Sequence, residues 1–282
     1  MRILIVGGTS ALAQTLKPVL GEDAEVLTAG RHGCDVRLDL SDAQDKLLVP
    51  SGTDVVINTA AQFGGDSFED ILRMEMVNAL GVLKLCQSCV ASGVGHMIQV
   101  SSIFAGLDET SPFFSAYALS KRHGDELATG FSSRFRLPLT ILRPGRLYGV
   151  GEARRRHQPF LSAIIERAVE GADILIHGSN DALRNFLHME DMARIVARVV
   201  QRELKGLYTC MNTRDVRYSE LAAAAIRAFG SKGKIRFVAD EADIPDSVFP
   251  LDDSLFRLID YFPRISVELG MEMEAAQRRV AG

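Results

Sequence analysis

The chain has 282 residues, which suits one large α/β core or such a core with a small appended lobe better than two independent domains. Its 32 Lys and Arg against 36 Asp and Glu leave a net charge of −4, so no global field draws it to nucleic acid or to an anionic membrane. No apolar run approaches the ~20 residues that span a bilayer, and the short first run is broken by glycines, so a cytoplasmic protein is expected.

The first apolar run, 3–6, leads into Gly7-Gly8-Thr9-Ser10 and then a helix-compatible stretch beginning Ala11-Leu12. A glycine directly after a strand lets backbone N–H groups approach a pyrophosphate, and the following helix N-terminus favours the anion. An ordinary strand-to-helix turn begins the same way. The second run, 25–28, ends at Thr28-Ala29-Gly30-Arg31-His32. An acidic residue there would accept ribose hydroxyls; Arg31 suits a 2′-phosphate instead, or is a solvated surface side chain. The third run, 36–40, ends in Asp39-Leu40, placed to meet an adenine edge. The fourth, 55–57, is followed by Asn58-Thr59-Ala60-Ala61, small residues that admit a cofactor close to the backbone or allow tight helix packing.

Helical periodicity then runs over 66–92 and includes Cys86-Gln-Ser-Cys89. With no second CxxC and no His pair beside it, the motif reads as two packed thiols. The fifth run, 97–100, ends in Ser101-Ser102, and fifteen residues beyond Ser102 stands Tyr117, with Lys121 four further on in the helical stretch 113–134. Positions i and i+4 share a helix face, so phenol and ammonium can address one site. The ammonium is expected to lower the Tyr117 pKa from its usual ~10 toward neutrality, making the phenol a general acid/base for an alcohol or ketone. A serine hydroxyl can orient the same oxygen.

The sixth run is 139–142. Strands alternating with helices in this way imply a doubly wound parallel sheet covered on both faces, with ligands at the carboxyl ends of its strands. After Tyr148 the rhythm loosens into a basic segment with Arg154, Arg155 and Arg156, a helix-like 160–170, and mixed short elements. Residues 1–148 are therefore expected to form the nucleotide-binding core, and 149–282 mainly a smaller C-terminal substrate lobe with some segments returning to the core. The six histidines show no HxxxH or HExxH spacing, so no catalytic metal is expected; His123 and His188 read as packing or surface residues.

The segments VVINTAA, VNALGVLKL, VSSIFAG, YALSK and ILRPGRLYG, followed by LRNFLHMEDMARIV and LIDYFPRISVELGMEM, together resemble the short-chain dehydrogenase/reductase superfamily. The likeness is to its extended branch of NAD(P)-dependent nucleotide-sugar epimerases, dehydratases and reductases, since the last two segments have no place in the single-domain branch. The resemblance implies a Rossmann-like fold, an NAD(P) cofactor with NADP favoured by Arg31, and a nucleotide-sugar substrate. It implies Ser102, Tyr117 and Lys121 as the catalytic triad. Cofactor contacts would come from Gly7, Gly8, Thr9, Ser10, Ala11, Leu12, Arg31, Asp39, Leu40, Ala60, Ala61, Tyr117, Lys121 and Pro144. Arg184 matches an arginine that pairs with the substrate diphosphate, or forms an ion pair with Glu190 or Asp191. Arg146 stands where many relatives carry Asn near the sugar nucleotide. A homodimer through the helices near 66–92 and 113–134 is also implied.

The chain departs from that pattern in two places. Where the branch spaces three glycines it has Gly7, Ser10 and Ala13, and Ser10 either gives a hydroxyl hydrogen bond to a phosphate or pushes it away with its Cβ. After the catalytic serine stand Ile103 and Phe104, where dehydratases carry Asp-Glu and some epimerases an extra Cys or His; Asp108 and Glu109 read as a solvated loop. What remains is hydride transfer at one carbon, by a reductase or a 4-epimerase. Two alternatives stay open: a reductase or isomerase of a non-sugar carbonyl compound, and a non-enzymatic NADP-binding sensor.

Overall fold

Runs of Val, Ile and Leu make strands that can be buried on both faces, and the Gly, Asp and Ser residues around them stop the pleat. In the computed structural model, which describes residues 1–42, 44, 47–151 and 158–281, these runs are β1 (Arg2–Val6), β2 (Glu25–Gly30), β3 (Val36–Arg37), β4 (Val55–Asn58), β5 (His96–Val100) and β6 (Leu139–Pro144). Shorter strands follow as β7 (Arg146–Tyr148), β8 (Ile174–His177), β9 (Leu183–Arg184), β10 (Phe186–His188), β11 (Gly206–Cys210), β12 (Val216–Arg217) and β13 (Ile235–Val238). The helices are α1 (Ala11–Leu20), α2 (Phe68–Glu75), α3 (Gly81–Ala91), α4 (Ala116–Phe135), α5 (Pro159–Glu170), α6 (Met189–Arg202), α7 (Tyr218–Phe229), α8 (Ser254–Ile259) and α9 (Val267–Ala281).

The chain forms two compact units, one from Met1–Pro144 and Ala193–Cys210, the other from the described residues of Gly145–Met192 and Met211–Gly282. The first holds a parallel sheet, seven-stranded among the described residues, in the order β11-β6-β5-β4-β1-β2-β3. This is the doubly wound arrangement expected from the sequence. The strand order reverses between β1 and β4, where a crevice opens at the carboxyl ends. Val6 lies opposite both Ala29 and Asn58, so the segments leaving β1, β2 and β4 emerge side by side there.

Leu4, Val56, Val82, Leu85, Met97 and Ile141 form part of the buried core of this unit. Cys86 and Cys89 belong to it, their thiols directed at Met97 Sδ from 3.6 and 4.0 Å. Burial pushes the Cys86 thiol up to about 12 and raises that of Cys89 as well, so the CxxC pair is packing, as read from the sequence. The apolar stretch 66–92 is not one α-helix. A π-turn at Met76–Leu80 separates α2 from α3, and it approaches α4 so closely that a Cβ on Gly124 would stand 2.1 Å from the Asn78 carbonyl oxygen.

Among the described residues the second unit carries three strand pairs, β10 with β7, β12 with β9, and β13 with β8. Tyr148, Leu161, Ile165, Phe186, Leu221 and Met271 are part of its core. Asp191 ties its C-terminal part together, accepting from Tyr261 Oη at 2.6 Å and from the amides of Arg264 and Ile265 at 3.0 and 2.8 Å.

Candidate active site

β5 delivers Ser101 and Ser102 to the carboxyl edge of the sheet, and Ser102 Oγ caps the following 3-10 turn by accepting from the Phe104 amide at 3.3 Å. Ser115 caps α4, which puts Tyr117 in its first turn and Lys121 one turn later. Lys121 Nζ donates to the last carbonyl of β5, that of Val100, at 3.0 Å, and the Ser102 hydroxyl stands near enough to the Tyr117 phenol to favour its ionised form. The three residues singled out in the sequence thus converge on one strand end.

Their electrostatics differ from expectation. The Tyr117 pKa is raised above its ordinary value, chiefly by desolvation, with the nearby Ser102 hydroxyl opposing the rise and the Asp125 charge adding to it. The ammonium has turned to the Val100 carbonyl, and Lys121 is not among the causes of the phenol's shift. Lys121, only 2% exposed, is itself lowered to about 8 by burial, with Asp125 pulling the other way.

Asp125 is a site residue that the sequence reading passed over. It lies one turn beyond Lys121, is buried, and accepts from Arg143 Nε at 2.8 Å. Burial raises its pKa, while the nearby Ser101 hydroxyl, the hydrogen bond from Arg143 and the charges of Arg143 and Lys121 hold it down. The available signal was the Lys121/Asp125 spacing, the same i, i+4 relation that paired Tyr117 with Lys121.

Two more residues were missed. Phe63 stacks on the Tyr117 ring with centroids 4.7 Å apart and planes 21° from parallel. Its loop is held by Asn78 of the π-turn, whose Oδ1 accepts from the Gln62 amide at 2.8 Å. Asn78 Nδ2 donates to the Gln62 carbonyl at 2.9 Å and to Ser120 Oγ at 3.0 Å. An Asn inside the apolar VNALG run was the only sequence signal for this brace.

At the strand-order reversal, Gly7 has φ +81°, and a Cβ on it would stand 2.6 Å from the Ala60 amide nitrogen. The Gly7 and Gly8 amides donate to the Ala29 carbonyl at 2.9 and 3.0 Å, which folds the turn back against β2. Ser10 Oγ caps α1 by accepting from the Ala13 amide at 3.1 Å. The amides of Ala11 and Leu12, at the first two helical positions, have no acceptor within the helix. Thr9 is exposed.

Arg31 is exposed beyond β2, and the exposed Asp35 accepts on Oδ2 from the amide and hydroxyl of Thr28 at 2.8 and 2.7 Å. Asp39 accepts from the Ser41 amide and hydroxyl; burial opposes its charge, but these bonds together with Arg31 and Arg37 leave its pKa lowered. The Leu40 side chain belongs to the sheet core. The Ala60 amide donates to Asn58 Oδ1, Ala61 is partly buried beside it, and Pro144 is the buried last residue of β6.

In the second unit, Arg146 Nη1 donates to Ser247 Oγ at 3.1 Å, and burial together with the Arg184 charge lowers the Arg146 pKa to about 10. Arg184 is buried, donates from Nη1 to the carbonyls of Leu183 and Pro245 at 2.7 and 2.8 Å, and lies 5.0 Å from the Tyr218 ring centre. Arg154, Arg155 and Arg156 lie outside the described residues. His123 meets Glu75 at 3.0 Å, His188 packs edge-on to Tyr148, and Asp108 and Glu109 are exposed as expected. Among the described residues no group of three His, Cys, Asp or Glu side chains is placed to hold a metal ion, and no helix is long and apolar enough to cross a membrane.

A parallel sheet in this order, with serine, tyrosine and lysine gathered at the end of its fifth strand, is the architecture of the extended short-chain dehydrogenases/reductases. The chain belongs to the NAD dependent epimerase/dehydratase family, whose model matches residues 3–209. Among curated relatives it is 28% identical over 301 residues to a dTDP-4-dehydro-6-deoxy-D-allose reductase of a Streptomyces species, covering 96% of this chain and 88% of that one. Among solved structures it is similar to a UDP-glucuronic acid 4-epimerase from Bacillus cereus in complex with UDP-glucuronic acid and NAD, at TM-score 0.81, 17% identity and full coverage (100%) of both chains. It is also similar to RMD from Pseudomonas aeruginosa complexed with NADPH, at TM-score 0.80 and 18% identity, covering 100% of this chain and 99% of that one. The homologues are thus enzymes: epimerases, dehydratases and reductases.

Proposed function

We propose that the protein is an NAD(P)-dependent oxidoreductase or epimerase acting by hydride transfer on one sugar carbon of a nucleotide-linked sugar, with NADP favoured. The observation that carries this reading is the convergence of Ser102, Tyr117 and Lys121 on the end of β5. The residues at the strand-order reversal fit a dinucleotide. Gly7 makes a turn closed to other residues, and the Ala11 and Leu12 amides suit a pyrophosphate. The turn from Gly7 through Leu12 would hold the pyrophosphate through the Ala11 and Leu12 amides, Arg31 a 2′-phosphate, and Asp39 and Leu40 the adenine edge. Ala60, Ala61 and Pro144 would lie along the cofactor, and Lys121 would hold the nicotinamide ribose. When bound, the cofactor supplies or accepts the hydride.

The chain's own residues handle the proton. A phenol with a raised pKa is protonated at neutral pH, so Tyr117 holds the proton that a carbonyl oxygen takes up on reduction. Ser102 holds the same oxygen in line. Ile103, buried where dehydratases carry an acid, supports redox chemistry over elimination. The second unit would bind the substrate, and the neighbouring cations Arg146 and Arg184 suit its diphosphate. A cytoplasmic homodimer completes the reading, supported by the exposed Phe68, Ile71 and Leu72 of α2.

The test is Tyr117→Phe, assayed by NADPH oxidation with dTDP-, UDP- and GDP-linked keto-sugars. Turnover should fall by about 10²- to 10⁴-fold while NADPH affinity stays within about twofold of the parent. Unchanged turnover would overturn the assignment.

A further inference from the structure

Ser10 at the start of α1 and Thr59 just after β4 stand on opposite sides of the crevice where the strand order reverses, and their hydroxyl oxygens are 2.9 Å apart. Thr59 Oγ1 also lies 2.9 Å from the Val6 carbonyl and 3.3 Å from that of Gly7, so its single proton is committed to a backbone acceptor. The proton between the two hydroxyls is therefore Ser10's. Ser10 Oγ in turn accepts from the Ala13 amide at 3.1 Å. A phosphate oxygen can only accept, and the one proton Ser10 has to give is already spent. A further tie, from Gln14 Nε2 to the Gly8 carbonyl at 2.8 Å, closes the turn from its other side.

We propose that Ser10 and Thr59 are positioning residues that act as one unit, a hydroxyl clasp that replaces a glycine of the nucleotide loop and holds the Ala11 and Leu12 amides toward a dinucleotide pyrophosphate. This rests on the reading that the chain binds NAD(P). Ser10 neither touches the phosphate nor repels it; it fixes the turn through Thr59, whose branched side chain reaches back to the end of β1. The two residues must then be coupled in cofactor binding, although they are far apart in sequence.

The experiment is a double-mutant cycle on the full chain with Ser10→Ala and Thr59→Val, each preserving most of the shape while removing the hydroxyl. NADPH affinity is read by direct titration, and thermal midpoints are measured separately without cofactor. Each single variant should weaken NADPH binding by about five- to tenfold, and the double variant should be no worse than either alone. Thr59→Ser, which keeps the hydroxyl, should bind close to the parent value. Weakening by Ser10→Ala alone, with Thr59→Val unaffected, would mean a direct phosphate contact and overturn the clasp. Tighter binding by Ser10→Ala would mean repulsion and also overturn it. Lower midpoints with unchanged affinity would reduce the pair to a structural role. Failure of the parent protein to bind NADPH or NADH would strike the underlying functional reading instead, and the parent titration shows this on its own.

Discussion

The Lys121 ammonium is enclosed by the end of β5 and by α4, and its pKa is lowered from 10.5 to about 8, mainly by burial. Below about pH 8 folded and unfolded chains both hold the proton, and the cost of burying the charge is present in full. Between about 8 and 10.5 the unfolded chain binds more protons, so stability rises with pH, and above that range the cost is gone. A shift of this size corresponds to about 3 kcal/mol, which Asp125 would partly take back by losing a neighbouring cation. Lys121→Met should therefore abolish turnover yet raise the unfolding free energy of the cofactor-free protein at pH 7 by about 1–3 kcal/mol in urea titrations, a gain that shrinks toward pH 10. A less stable variant would show that the bond to Val100 outweighs the burial cost. Ser102, Tyr117 and Lys121 were legible in the sequence because a strand end and one helical turn fix their relation. Asp125 was not, since a carboxylate on a helix ordinarily reads as solvated, and only Arg143 on the neighbouring β6 accounts for its burial. The expected lowering of the Tyr117 pKa failed for a similar reason, because spacing shows that two groups share a face but not which acceptor the ammonium chooses.

The π-turn between α2 and α3 sets the contact that braces the Phe63 loop over Tyr117. Gly124 makes that contact possible, since any side chain there would meet the Asn78 carbonyl. Gly124→Ala should cost about 2–4 kcal/mol of stability and reduce turnover through the displaced loop. Gly130→Ala is the internal control: it lies on the same helix with nothing within 4 Å of its new methyl, and it should be neutral or stabilising by up to about 1 kcal/mol. Equal behaviour of the two variants in thermal melts would remove the π-turn from the argument. β1, β4, β5 and β6 were readable because each is a dense apolar run, whereas of the expected run 36–40 only Val36–Arg37 pairs as β3. β11, reading Gly-Leu-Tyr-Thr-Cys, is half polar and exposed at its start, and the strand pairs of the second unit are two to four residues long, too short for a period to register. The π-turn was hidden because one inserted residue barely disturbs helical periodicity.

At the scale of the whole molecule, the α2 side chains Phe68, Ile71 and Leu72 are 73%, 38% and 50% exposed, and Leu80 in the π-turn is 48% exposed. If this face joins two copies, Leu72→Asp should convert a dimer to a monomer in light scattering and make the thermal midpoint insensitive to protein concentration. A parent protein that is monomeric at tens of micromolar would overturn the dimer reading. The order in which the chain is laid down has its own consequence. β6 waits for its outer neighbour β11 while the whole of Gly145–Met192 is laid down elsewhere. Until that return, the Leu-Thr-Ile-Leu stretch of β6 is an open, apolar sheet edge, the kind that invites pairing with another chain. A nascent or truncated chain ending near Tyr148 would carry that edge uncovered, so the sheet's protection against aggregation comes from one of its last strands to be made.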